Sequence, residues 1–121
     1  MEQIAPLISF LLHSRTQAHI FHWQTLSFAE HSALNAYYDG IVELFDGLVE
    51  TYQGKYGVIR GYSNYGLLEY TDKNQMITYF EALVNKVESL RQGIEDSYLQ
   101  NQIDTIMELL ESTLYKLRFL N

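Results

Sequence analysis

The sequence predicts an all-α protein: a four-helix bundle whose second and third helices are joined by a long crossover. Three observations carry this reading. Apolar residues recur at steps of three and four in four separate stretches, no stretch alternates with a strand-like period of two, and one connection is far longer than the other two. No internal repeat or low-complexity tract competes. At 121 residues the chain has the size of one domain, so 1–121 is read as a single bundle.

The first helix is expected over about 3–26, where Ile4, Ile8, Leu11, Ala18 and Leu26 share one side. Pro6 falls in its first turn, where a missing N–H costs little. The second carries the stripe Leu34, Tyr38, Ile41, Phe45, Leu48 and Tyr52, with Gly54 and Gly57 as its stop. The third spans 76–94 through Met76, Phe80, Leu83, Val87, Leu90 and Ile94, and the fourth spans 103–120 through Ile103, Ile106, Leu110, Leu114, Leu117 and Leu120. Asp72 with Gln75, and Ser97 with Gln100, have the spacing of capping boxes ahead of these last two runs. Helices of this size are roughly 30–40 Å long. The links 1–2 and 3–4 are short, which makes those pairs antiparallel. The link from 54 to 70 is long enough to cross the bundle. Four helices with one long middle crossover have the ferritin-like connectivity rather than simple up-down-up-down order.

Composition limits the function classes. Apolar residues are 47% and charged residues 19%, which supports a packed core. There is no cysteine, so thiolate metal sites and cysteine nucleophiles are excluded. The opening MEQIAPLISFLL carries Glu2 where a leader wants a cation and lacks a small-residue cleavage site, so it is read as mature protein. No apolar run approaches the roughly 20 residues that span a bilayer. A soluble, cytoplasmic protein without a membrane partner is expected. The net charge is −7, and no Lys/Arg cluster exists to neutralise phosphates, which argues against nucleic acid. Lys55 and Arg60, beside the tyrosines of GKYGVIRGYSNYGLLEY, are too sparse for such a surface. Those tyrosines are expected to pack the connection against the bundle.

Cations suit an acidic chain better. Asp39, Glu43, Asp46 and Glu50 fall within about 60° of one another on the second helix, centred about 150° from its apolar stripe. A solvated acidic face is the plain reading. Against it, no Lys or Arg stands at i±4 to offset the repulsion, and Val42 and Val49 flank the stripe. The four histidines, His13, His19, His22 and His31, lie in the first quarter of the chain. His13 and His19 read as hydrogen-bonded packing residues. His22, next to Trp23, and His31, at the start of the second helix, are candidates to join carboxylates in a ligand set suited to iron, manganese or zinc.

The pattern HWQ…H…D-x-x-x-E resembles the Dps family of mini-ferritins. It is carried by His22, Trp23, His31, and, fifteen residues after His31, by Asp46 and Glu50 in FDGLVE. AHIFHW is similar to the family's H-x-x-H-W, and NQIDTIMELLESTLYKLRFL resembles its last helix in apolar pattern. The resemblance implies a homo-oligomer, two-fold dimer at least, in which His22 and His31 of one subunit and Asp46 and Glu50 of its mate bind Fe(II). Asp39 and Glu43 are further ligand candidates. It implies Fe(II) oxidation by peroxide or dioxygen, iron sequestration, and Trp23 as an electron donor or a packing anchor. Zn(II) or Mn(II) competes for such a site. No Glu in the chain has a His three residues on, so the inward-facing Glu-x-x-His site of ordinary ferritins is disfavoured. The competing expectation is a catalytically silent ferritin-like bundle used for self-assembly or partner docking. It is supported by the short turn TLSFAE and by Asn35, which stands where many relatives place a carboxylate.

Overall fold

A computed structural model describes residues 3–121; Glu2 lies outside them. The chain forms α1 (Ile4–Gln24), α2 (Phe28–Tyr56), α3 (Lys73–Gln92) and α4 (Ser97–Phe119), with no strand among the described residues. No helix is long and apolar enough to cross a membrane.

Each helix lays its apolar stripe on a shared core, in which Leu11, Phe21, Leu34, Ile41, Phe80, Leu99 and Ile103 are among the fully buried side chains. α1 packs on α2 and, more lightly, on α3; α4 packs on α2 and α3; α2 and α3 sit on a diagonal. Polar contacts fix the directions. Tyr37 meets Ser14 and His31 meets His22, so α2 runs against α1. Gln102 donates to the Gly47 carbonyl and Thr51 hydroxyl, which sets α4 against α2. Arg91 with Asp104 and Arg118 with Glu81 set α4 against α3.

Segment 57–72 lies along α1 and follows its direction. The Ser63 amide donates to Ser9 Oγ at 2.9 Å, His13 Nε2 meets the Gly66 carbonyl at 2.9 Å, and the Tyr70 amide donates to Gln24 Oε1 at 2.7 Å. Gln17, buried in α1, clamps Leu68 with both ends of its amide: the side chain accepts from the Leu68 N–H and donates to its carbonyl. Tyr65 stacks on Phe10 at 4.3 Å, as expected for tyrosines that hold the connection to the bundle.

Helix ends depart from expectation at several points: α3 ends at Gln92 with Ile94 buried beyond it, and Leu120, expected in the fourth stripe, caps α4 and is exposed. α1 stops at Gln24, two residues short of the expected 26, because Thr25, Leu26 and Ser27 make the turn; Leu26, expected on the apolar side, is fully exposed. Ser27 Oγ then caps α2 by accepting from the Glu30 amide. Gly54 is inside α2, and only Gly57, at φ +97°, ends it. Asp72 caps α3 as expected through the Gln75 amide at 2.8 Å, although the Gln75 side chain returns to Thr71. The Ser97–Gln100 capping box does not form. Asp96 occupies the cap position without a cap bond, since its carboxylate is taken by Tyr56, Tyr98 and Lys55, while Gln100 reaches back to the Ile94 carbonyl.

Candidate metal centre

The turn between α1 and α2 is held by a buried carboxylate. Glu30 Oε1 accepts from Thr25 Oγ1 at 2.6 Å and from the Tyr70 hydroxyl at 2.9 Å, tying both helices to the end of the crossover. Burial, followed by the bond to Glu30, raises the Tyr70 pKa, so its proton stays in place. This knot sets how α1 enters α2 and therefore where the two histidines meet.

His22 and His31 stack face to face, with ring centroids 3.6 Å apart and planes 17° from parallel. Each anchors the other's backbone: His22 Nδ1 lies 2.6 Å from the His31 carbonyl, and His31 Nδ1 lies 2.8 Å from the His22 carbonyl. A carbonyl only accepts, so both Nδ1 atoms carry the proton. In a neutral ring that leaves the Nε2 lone pair as the free donor, the arrangement by which proteins prepare imidazole for a metal. His22 is 7% exposed and His31 is half-buried, so His31 is the more accessible ring of the pair. The short turn TLSFAE therefore does bring the rings together.

Around the pair, rings continue outward. Tyr38 meets His22 edge-on at 5.3 Å and stacks on His19 at 4.1 Å, and His19 touches Trp23 at 4.3 Å. Trp23 itself is 68% exposed. His13 stands apart, with Nδ1 accepting from the Tyr79 hydroxyl at 2.7 Å and Nε2 facing Gly66. Burial raises the Tyr79 pKa and keeps that hydroxyl a donor.

The carboxylates do not join the imidazoles within one chain. Asp39, Glu43, Asp46 and Glu50 are all exposed, and among the described residues no three His, Asp or Glu side chains converge as a metal site. Fifteen residues of α2 separate Asp46 from His31 by roughly 22 Å. Asp39 is bound by the Asn35 side-chain amide at 2.8 Å, and Asn35 in turn accepts from Tyr38. Asp46 and Glu50 flank a surface groove between α1 and α2, lined also by Leu12, Phe45, Val49 and Tyr62.

Sequence reasoning did not single out Glu30, or the roles of Tyr38 and His19 beside the pair. Tyr38 was expected in the apolar stripe of α2, and the spacing of His19 to His22, three residues apart on one helix, was the available signal for the second. Glu30 three residues after Ser27 was visible as a cap pattern, but its bond to Tyr70, forty residues away, was not.

The fold and this site together define an antiparallel four-helix bundle bearing a pre-oriented imidazole pair. The chain belongs to DUF5856, a family of unknown function, whose sequence profile matches residues 22–117. No curated protein and no solved structure matches it.

Proposed function

We propose that the protein is a Dps-like iron-binding protein that oxidises Fe(II) at a site shared between two copies. The observation that carries this is the His22–His31 pair, stacked and held by reciprocal Nδ1 bonds with both Nε2 atoms left as donors. The rings are stacked, so their in-plane Nε2 lone pairs do not meet at one point, and the two imidazoles give half of the ligands of a paired-iron site, one nitrogen to each iron. The other half is supplied by Asp46 and Glu50 of a second copy, since these acids turn outward from their own core and form no ion pair among the described residues. Their charge favours Fe(III) over Fe(II), so peroxide or dioxygen draws an electron from each iron. In this reading the segment lying along α1 makes the bundle ferritin-like in connectivity, and the ferric product is sequestered on the acidic surface outside the contact between copies. Zn(II) is the expected competitor.

Anaerobic Fe(II) loading followed by air or peroxide, read by ferric absorbance, tests the proposal. Wild type should oxidise iron faster than His22→Ala and Asp46→Ala by tenfold or more. Equal slow rates in all three leave a silent assembly bundle, the reading favoured by the separation of acids and imidazoles within one chain.

A further inference from the structure

One face of the molecule carries both a knob and a hole. Leu12, His19 and Trp23 fall within about 40° on α1, and Tyr38, Val42, Phe45 and Val49 within about 60° on α2, so all border the same outer seam between these helices. At one end Trp23 projects, 68% exposed. At the other lies the groove of about 430 Å³ lined by Leu12, Phe45, Val49 and Tyr62 and rimmed by Asp46 and Glu50.

We infer that Trp23 seats in this groove of a second copy, so that the α1–α2 face is a self-complementary, two-fold interface. The inference rests on the shared site proposed above for its two-fold pairing but needs no metal. Register supports it. The pairs Ser14–Tyr37 and His22–His31 place Trp23 level with the start of α2, roughly 27 Å from the groove centre. An isologous contact puts its axis halfway, near Tyr38. The axis that brings His31 opposite Asp46 and Glu50 falls near Asp39 and Gly40. The two levels fall within about 2 Å because Trp23 adjoins His22 and the same two acids rim the groove, so one axis serves both contacts.

Charge and area agree as well. Arg15 is exposed on the same seam with no ion pair among the described residues, and the axis sets it opposite Asp39 and Glu43 of the other copy. The face is roughly 30 Å by 20 Å, on the order of 600 Å² per copy, at the lower limit of a standard specific interface. Leu12, 46% exposed, lines the inner end of the groove, toward the axis.

Trp23 is the only tryptophan, so its emission reports this contact alone. Sedimentation and fluorescence are measured together over a hundredfold concentration range in EDTA. The expected result is a doubling of mass that coincides with a blue shift of the emission and at least a threefold loss of acrylamide quenching. Val49→Glu, and independently Leu12→Asp in case the first variant does not fold, should keep helical circular dichroism and stay monomeric with exposed-indole emission. A monomer at every concentration, a dimer whose indole remains fully quenchable, or folded variants that dimerise like wild type would overturn the inference. A dimer with buried Trp23 that binds no metal upholds it while removing the iron reading. Metal bound by a pair whose Trp23 stays exposed does the reverse.

Discussion

Ser14 and Tyr37 set the register of α1 on α2, and their removal gives an asymmetric result that the geometry determines. Both are buried to completion. Ser14 Oγ donates to the Leu11 carbonyl at 2.7 Å, so at its 2.7 Å contact with Tyr37 it accepts the phenol proton. Burial raises the Tyr37 pKa, and the hydroxyl remains a donor at any working pH. Ser14→Ala leaves that O–H without a partner in the core, which costs about 2 kcal/mol. For a chain of this length the Tm should fall by roughly 8 °C. Tyr37→Phe removes the donor and leaves Ser14 bonded to Leu11, so it should cost only about 0.5–1 kcal/mol. The double variant should then be more stable than Ser14→Ala alone, because no orphan donor is left. Urea unfolding of the four proteins, followed by circular dichroism, closes the cycle. A double variant as unstable as the sum of the singles would refute this account of the α1–α2 contact.

Gly54 inside α2 and Gly57 at its end should respond in opposite directions. Gly57→Ala should destabilise by about 1–3 kcal/mol although its surroundings are open, because φ +97° with ψ 173° is a region that side chains avoid, whereas Gly54→Ala, inside the helix with nothing nearby, should stabilise by about 0.5–1 kcal/mol; thermal melts decide both. Gln17→Leu should release the crossover and speed hydrogen exchange at the Leu68 amide at least tenfold, with helix content unchanged. Asp96 is held below the usual carboxylate range, first by the Tyr56 hydroxyl. Its stabilising effect is therefore complete at neutral pH and is lost as pH falls through the lowered value. Asp96→Asn should flatten the acid limb of the stability curve, and an unchanged limb would count against the Tyr56–Asp96 contact.

The helices were legible because most of their stripes are regular. Met76 to Leu90 and Ile103 to Leu117 are buried as the heptad spacing requires. α1 was harder to bound, since it buries Ser9, Ser14, Gln17 and His22, whose partners lie on other elements and leave no periodic trace. The failed cap at Ser97 has the same origin: the Asp96 carboxylate is drawn to Tyr56, forty residues away. At the site, the sequence marked His22 and His31 as candidates and wheel geometry turned the acids outward, but the short turn TLSFAE did not show that the rings meet. The reciprocal carbonyl bonds that orient the rings depend on the angle of the turn, which Glu30 and Tyr70 fix through tertiary contact. The knob and groove could not be read at all, because a groove belongs to two helices at once.

The proposed sharing of a site between two copies is tested most directly by complementation. A chain with His22→Ala and His31→Ala is co-refolded with one carrying Asp46→Ala and Glu50→Ala, and bound Co(II) or Fe(II) is counted by titration. Each chain alone should bind nothing at the site. With random pairing, half of the dimers are mixed and each regains one of its two sites, about a quarter of wild-type capacity. No recovery in demonstrably mixed dimers, or full binding by either chain alone, would contradict a centre built from two copies.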